Sequence, residues 1–315
     1  MKKVFVQVPC LNEADTITSV LTSIPKKIEG VDLQILIIDD GSTDDTVKIA
    51  RKLGVKHFVF HKKNMGLARS FQDGVNYALM NGADIVVNTD GDNQYPQASI
   101  PELIQPILDG KADIVIGDRQ TQQIEHFSPF KKLMQRFGSA VVNKAAGTKL
   151  PDAASGFRAY SRDALYRLTV VTKFSYCMET IIQAGNKRIP ITSIPITTNR
   201  KTRESRLFKN IWQHMFKSMS AIIRSYLMYR PYALFVSLGA VLGIAGLIPF
   251  IRYLVLIVVD ERGNHLQSLL LGAVLLTGSF LAIALGVIAD LIRINRILTE
   301  EQLEISRRAH TQVRD

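Results

Sequence analysis

Two long apolar runs separated by six residues constrain this chain more than any other feature. Tyr232 to Val259 and Leu266 to Ile292 are almost wholly Leu, Val, Ile, Ala, Phe and Gly, and neither shows a polar face. About 20 apolar residues span the hydrocarbon core of a bilayer as a helix, whereas a helix packed on a soluble core keeps a polar stripe for water. The runs therefore read as a tight transmembrane hairpin, turned by Asp260-Glu261-Arg262-Gly263-Asn264-His265. Lys209, Lys217, Arg224 and Arg230 precede it; Arg293, Arg296, Arg307 and Arg308 follow it; the loop sets Arg262 against two acids. The positive-inside bias then places both termini and the whole N-terminal region in the cytoplasm. Arg252 is expected to snorkel to the outer interface, with Pro249 bending the helix before it. Gly239 and Gly243 form a small-xxx-small pair suited to packing on the second helix or on another protomer.

The formal charge of +11 would suit nucleic acid, but no helix-turn-helix, zinc-finger or aromatic RNA-binding pattern accompanies it. The basic residues concentrate from Arg119 to Arg230, beside the apolar runs, where anionic headgroups are the better partner. Met1-Lys-Lys leads directly into the strand-like Val4–Val8, so no signal peptide is expected. Cys10 and Cys177 lack the neighbours of a cysteine nucleophile and read as reduced packing residues.

Upstream of the membrane runs, strand-like and helix-like segments alternate. Strands are expected at Val4–Val8, Leu33–Asp39, Val55–Phe60, Ile85–Asn88 and Ala112–Ile116. Helices are expected at Glu13–Ile24, capped by Asn12, at Thr43–Leu53, capped by Ser42 or Thr43, and at Leu67–Met80 and Ile100–Leu108. Repeated βα units imply an α/β, Rossmann-like, doubly wound and mainly parallel sheet, whose ligands gather at the carboxyl ends of the strands. No G-x-G-x-x-G follows the first strand, so a dinucleotide fingerprint is absent.

Four of those strand ends carry acids and amides: Pro9-Cys10-Leu11-Asn12-Glu13, Asp39-Asp40-Gly41-Ser42-Thr43-Asp44, Asn64-Met65-Gly66, and Asp90-Gly91-Asp92-Asn93-Gln94. Asp90 and Asp92 are oxygen ligands at a spacing that suits a hard divalent cation carrying substrate phosphates. Together the clusters favour a nucleotide site, with Asp39 or Asp40 accepting from a base N–H or from ribose hydroxyls.

The set Pro9-x-x-Asn12-Glu13, Asp39-Asp40-Gly41-Ser42-x-Asp44-x-Thr46, Asn64-x-Gly66 and Asp90-x-Asp92 resembles glycosyltransferase family 2, with its GT-A fold. Ala112-Asp-Ile-Val-Ile-Gly-Asp-Arg119, Ser155-Gly-Phe-Arg158 and Arg203-Glu-Ser-Arg206 are similar to its polyprenyl-phosphate branch, best known for the dolichol-phosphate mannose synthases. The resemblance covers essentially the whole chain. It implies inverting transfer of a sugar from a nucleotide sugar (GDP-mannose or a UDP-hexose) to dolichyl or undecaprenyl phosphate at the cytoplasmic membrane face. Pro9, Asn12, Glu13, Asp39, Asp40, Asn64, Gly66, Asp90 and Gly91 would line the donor nucleotide. Asp90, Asp92 and, on the family pattern, Gln94 would hold Mg²⁺ or Mn²⁺.

The acceptor phosphate, largely dianionic at neutral pH, needs positioning more than a base. Arginine forks suit it: Arg119, Arg136, Arg203 and Arg206, with Ser139 beside the helix-like Ala140–Ala145. Asp92 and Arg119 are expected to act in catalysis. The family pattern adds Asp152 as a candidate base and Glu179 as an acid near the sugar, a helix-surface acid being its plain alternative. Phe208–Tyr229 carries apolar residues at spacings of three and four interleaved with Lys209, Lys217 and Arg224, an amphipathic pattern suited to the interface.

The expected organisation is a catalytic domain over 1–206, a juxtamembrane helix over 207–230, spans at 231–259 and 266–293 around the 260–265 loop, and a tail over 294–315 that would support homo-oligomers. The alternatives are a processive or other membrane-bound polysaccharide enzyme of the family, or a catalytically silent nucleotide-sugar-binding membrane scaffold. Processive synthases carry Gln-x-x-Arg-Trp and more membrane helices, and neither occurs here. The charge asymmetry predicts that a tag inserted at 260–265 is labelled by an impermeant reagent only from the extracytoplasmic side; labelling from the cytoplasmic side would reverse the topology.

Overall fold

The computed structural model describes residues 1–121, 129–170, 176–199, 231–259 and 266–312. They fall into two compact units, Met1–Ile222 with Gln302–Asp315, and Ile223–Glu301.

The first unit is built on a seven-stranded sheet of order β3-β2-β1-β4-β6-β5-β7. Its strands are β1 (Lys2–Cys10), β2 (Val31–Asp39), β3 (His57–Phe60), β4 (Ile85–Asn88), β5 (Ile114–Asp118), β6 (Arg158–Ser161) and β7 (Ile191–Pro195). All neighbours are parallel except β6, which runs antiparallel to β4 and β5. Val4, Phe5, Val6 and Val8 of β1 are wholly buried, so successive residues, which point to opposite faces, both meet protein. The expected mainly parallel sheet is thus present.

Four helices flank it near the expected places, α1 (Ile17–Ser23), α2 (Thr46–Lys52), α3 (Leu67–Met80) and α4 (Ile100–Leu108); α5 (Pro129–Ala146), α6 (Arg162–Arg167) and α7 (Tyr176–Asn186) follow. In α3, Ala68, Phe71, Val75, Ala78 and Leu79 are buried, the three-and-four spacing of a helix laid on a sheet.

The sequence pattern missed β6 and β7. β6 is only Arg158-Ala-Tyr-Ser, yet all four residues are buried. Arg158 is wholly buried because its guanidinium donates to the carbonyls of Ser155 (2.6 Å), Cys177 (2.8 Å) and Ala153 (2.9 Å) and to the Thr180 hydroxyl (3.0 Å). Those acceptors come together only in the folded chain. α5 also begins well before the helix-like Ala140–Ala145, so Arg136 and Ser139 lie within it, one turn apart.

In the second unit α8 (Pro231–Val258) and the Leu266–Glu301 part of α9 (Leu266–Gln312) are antiparallel, since Gly239 faces Ile283 and Gly272 faces Phe250. A Cβ at Gly239 would lie 2.7 Å from Ile283 Cγ1, and one at Gly243 2.9 Å from Ser279 Oγ. The small-residue pair therefore packs on the second helix, where the Ser279 hydroxyl donates to Gly239 O at 2.7 Å. Both helices are long and apolar enough to cross a membrane, and only 11% and 22% of their most apolar stretches are buried. A helix from a soluble core would be mostly covered. Pro249 and Arg252 lie within α8; the 260–265 loop and the amphipathic 208–229 segment lie outside the described residues.

α5 meets α7 at Gly185, where a Cβ would stand 1.9 Å from Ala146 O and 2.7 Å from Ala146 C. These are backbone atoms, and no rotamer can relieve the clash. Gly185→Ala is expected to destabilise the first unit by about 1–3 kcal/mol or more, read as a lower Tm of the detergent-solubilised protein; an unchanged Tm would mean that α5 can move away.

Candidate active site

Six parallel strands direct their carboxyl ends to one edge of the sheet, and the start of antiparallel β6 reaches the same edge, with Arg158 opposite Asn88. The four polar clusters of the sequence therefore share one rim.

The first two clusters lock to each other through main-chain donors. Asn12 N–H donates to Ser42 Oγ (3.0 Å), Thr43 N–H to Asn12 Oδ1 (2.8 Å), Glu13 N–H to Thr46 Oγ1 (2.8 Å) and Ala14 N–H to Asp44 Oδ2 (3.0 Å). Asn12 has φ 55°, the left-handed region that asparagine tolerates better than most residues. This corrects the expected caps. α1 starts at Ile17 and α2 at Thr46, because Asn12 and Ser42 bridge the two loops instead of capping helices at Glu13 and Thr43. Pro9 lies on β1 just before this lock.

Asp39 and Asp40 part company. Asp39 closes β2, and its Oδ1 accepts from Ser42 N–H at 3.1 Å. Asp40 turns toward the third cluster: its carboxylate accepts from Met65 N–H (2.7 Å) and Gly66 N–H (2.9 Å) and lies 2.7 Å from His61 Nδ1. It shapes the loop around the exposed Asn64.

In the fourth cluster, Gln94 donates through its side-chain amide to Asp92 Oδ2 at 2.7 Å and through its N–H to Oδ1 at 3.2 Å. It holds Asp92 in place. The Thr16 hydroxyl lies 2.7 Å from Gly91 O and 3.1 Å from Glu13 Oε2, drawing Glu13 to the same acidic patch. Burial first, and then the Asp92 charge, push the Asp90 carboxyl up to about 7.

Behind Asp90 stands a buried polar layer that the sequence did not announce. Asn88 accepts from the Gln7 amide (3.0 Å) and donates to Gly156 O (3.1 Å) and the Tyr176 hydroxyl (2.6 Å). Gly156 N–H donates to the Tyr95 hydroxyl at 2.8 Å, and Tyr95 stacks on Phe157. Asn199 donates to Asn93 O (3.0 Å) and Tyr95 O (3.1 Å), tying the segment after β7 to the Asp90–Tyr95 turn. Nothing in the local pattern of Asn199 marks it, because its partners are about a hundred residues away.

Arg119 and Asp152 form a bidentate pair, Nε to Oδ2 at 2.6 Å and Nη2 to Oδ1 at 3.0 Å, with Asp152 only 2% exposed. Burial alone would raise the Asp152 carboxyl, but the Arg119 hydrogen bond and charge hold it below the usual carboxylate value. Burial opposes the Arg119 charge, and the hydrogen bonds and charge of Asp152 support it. Asp152 therefore orients an arginine, an arrangement unsuited to the base role suggested by the family pattern. Arg136, exposed, and Ser139, buried, line a cavity of about 490 Å³ with Asp118, Gln120 and Asn143; Ser139 Oγ accepts from Ala153 N–H at 3.2 Å. Glu179 is 1% exposed on α7, so the surface-acid alternative does not hold. Arg203 and Arg206 lie outside the described residues.

Among the described residues no three His, Cys, Asp or Glu side chains form a closed metal-binding set. Asp90 and Asp92 nevertheless fit a divalent cation: two adjacent carboxylates, one of them destabilised as an anion, gain from a neighbouring cation, and Mg²⁺ is commonly held by one or two carboxylates with substrate phosphates completing the shell.

The family model described as Glycosyl transferase family 2 matches residues 5–169. A UDP-N-acetylglucosamine–dolichyl-phosphate N-acetylglucosaminyltransferase of Methanococcus voltae is 28% identical over 218 residues, 62% of this chain and 86% of that protein. A dolichol-phosphate mannosyltransferase of Pyrococcus furiosus is 28% identical over 226 residues, 68% of this chain and 62% of that protein. A polyprenol monophosphomannose synthase of Mycolicibacterium smegmatis is 25% identical over 229 residues, 69% and 85% of the two chains. Among solved structures, glucosyl-3-phosphoglycerate synthase from Mycobacterium tuberculosis, in complex with Mn²⁺, UDP and phosphoglyceric acid, superposes with TM-score 0.56 at 22% identity, over 72% of this chain and 78% of that one. This likeness shows the GT-A fold.

Removing the partner of a buried charge leaves that charge uncompensated. Asp152→Ala is expected to lower the unfolding free energy by about 3–5 kcal/mol, measured by denaturant titration in detergent; a loss below about 1 kcal/mol, the scale of an exposed pair, would mean that Arg119 is stabilised by other means.

Proposed function

The chain belongs to glycosyl transferase family 2, and we propose that it transfers a hexose or N-acetylhexosamine from a nucleotide sugar to the phosphate of a membrane polyprenol. The observation that carries this reading is the pairing of an acidic strand-end cleft with arginines and apolar helices in one chain. Relatives named for dolichyl-phosphate or polyprenol-phosphate transfer support it.

Asp90 and Asp92 would hold Mg²⁺ or Mn²⁺ against the donor diphosphate, with Gln94 fixing Asp92. The cation supplies charge stabilisation to the departing diphosphate when bound. Asp39, whose Oδ1 accepts from Ser42 N–H, would accept from the nucleoside through its other oxygen, since both Asp40 oxygens are engaged by the 65–66 backbone. Pro9, Asn12, Glu13, Asn64, Gly66 and Gly91 shape the cleft around it.

Arg119, held rigid by Asp152, faces the negative field of Asp90 and is assigned to charge developing between donor and acceptor. Arg136 and Ser139, one turn apart on α5, with Arg203 and Arg206, would receive the acceptor phosphate. That phosphate is already ionised, so positioning rather than proton abstraction is the main requirement. Inversion follows from a single displacement at the anomeric carbon. The apolar helices would leave the prenyl chain in lipid, with the catalytic unit and both termini cytoplasmic.

Asp92→Ala is expected to abolish transfer while the protein stays folded. The measurement is radiolabelled sugar transfer to polyprenyl phosphate across a panel of GDP-mannose, UDP-glucose and UDP-N-acetylglucosamine, with Mg²⁺ or Mn²⁺ and with EDTA. Wild-type turnover of the variant, or turnover indifferent to EDTA, would overturn the metal role; no lipid-linked product with any donor would overturn the proposed acceptor.

A further inference from the structure

His61, at the exit of β3, takes no part in the chemistry above, yet it sits at a junction. Its side chain is 8% exposed, and both ring nitrogens face carboxylates: Nδ1 is 2.7 Å from Asp40 Oδ1 and Nε2 is 3.2 Å from Asp73 Oδ2 on α3. Carboxylate oxygens only accept, so each ring nitrogen faces a group to which a ring N–H can be donated. Arg69 Nε donates to the same Asp73 oxygen at 2.7 Å. His61 N–H also donates to Asp39 O at 2.9 Å, joining this residue to the end of β2. The result is a polar chain from the surface of α3, through Asp73 and His61, to Asp40.

Asp40 is where that chain meets the cleft. Its two oxygens collect Met65 N–H and Gly66 N–H in addition to the His61 ring. Gly66, with φ 92°, is the residue before α3, so these bonds set the path of the chain from the 64–66 loop into the helix. Gly41, on the neighbouring strand end, lies so close to Lys63 and Asn64 that a Cβ would meet their backbone at 3.1–3.2 Å. The 62–66 loop is thereby folded against the Asp39–Gly41 turn, the part of the rim assigned to the nucleoside.

We infer that His61 is a positioning residue for the donor nucleotide: by anchoring Asp40 between itself and the Met65 and Gly66 amides, it holds the 64–66 loop closed beside Asp39 without touching substrate. The inference rests on the reading of this rim as the donor site. It separates binding from chemistry, because Asp90 and Asp92 lie after β4, a different strand end from Asp40.

The test uses the full-length, detergent-solubilised protein with His61→Phe, which keeps a ring without a donor, and His61→Gln, whose amide nitrogen reaches the place of Nε2, toward Asp73, rather than that of Nδ1. Both are expected to raise the donor KM and the Kd for UDP or GDP about tenfold, the scale of one lost charge-assisted hydrogen bond. The kcat and the KM for polyprenyl phosphate should stay within about twofold. His61→Asn, whose amide nitrogen takes the place of Nδ1 and can still donate to Asp40, is expected to recover most of the loss. A lower Tm with unchanged donor KM would overturn the inference and leave His61 as a purely structural residue. Hydrogen exchange in the wild-type protein decides the matter independently of any variant: nucleoside diphosphate should slow the Met65 and Gly66 amides, and an unchanged rate would overturn the inference. Failure of the wild-type protein to bind either UDP or GDP would instead sink the donor-site reading itself.

Discussion

The active edge of this protein is organised by the need to satisfy main-chain N–H groups where parallel strands end. Within the interior strands of the sheet each N–H has a neighbouring carbonyl. Beyond the last ladder bond the chain turns away, and a donor left buried without an acceptor costs about as much as a lost hydrogen bond. Here side chains supply the acceptors. Asn12, Ser42, Asp44 and Thr46 take four amides across two loops, Asp40 takes two more, and Ser139 takes Ala153. Much of the motif that identifies the family is therefore architecture. Asp39 and Asp92 also accept from nearby donors, Ser42 N–H and Gln94, while Asp90 lies buried beside them.

The same accounting explains the charges. Asp90 is destabilised as an anion by burial and by Asp92, so a neighbouring cation would stabilise it. Arg119 is deeply placed but matched by a bidentate carboxylate, and Arg158 is matched by carbonyls and a hydroxyl. One arginine thus presents a fixed positive charge to the rim, while the other joins β6 to α7 and to the turn before it. An arginine in a sequence motif does not announce which of these it is; its acceptors do.

The apolar hairpin obeys a different solvent. Hydrophobic burial gives two helices little reason to associate in lipid, so close backbone approach and a serine hydroxyl on a carbonyl matter more. Gly239 and Gly243 facing Ser279 and Ile283 meet that requirement.

Much was legible from the chain alone. The two apolar runs, the alternation of Val- and Ile-rich strands with amphipathic helices, and the acids at four strand ends are local patterns, and periodicity and composition report them directly. They led to the parallel sheet, the shared rim and the Asp90-Asp92 pair. The sequence could not show what depends on distant partners. Arg158-Ala-Tyr-Ser becomes a buried antiparallel strand only because acceptors from α7 and the 153–155 turn surround its arginine. Asp40 accepts from the 65–66 backbone, Asp152 orients Arg119, and Asn199 clasps a turn a hundred residues earlier. A carboxylate or amide has the same local pattern whether it binds a ligand or a main-chain N–H. Sequence determined which groups come to the rim; tertiary structure alone decided which of their oxygens were already taken, because that depends on donors brought close by folding.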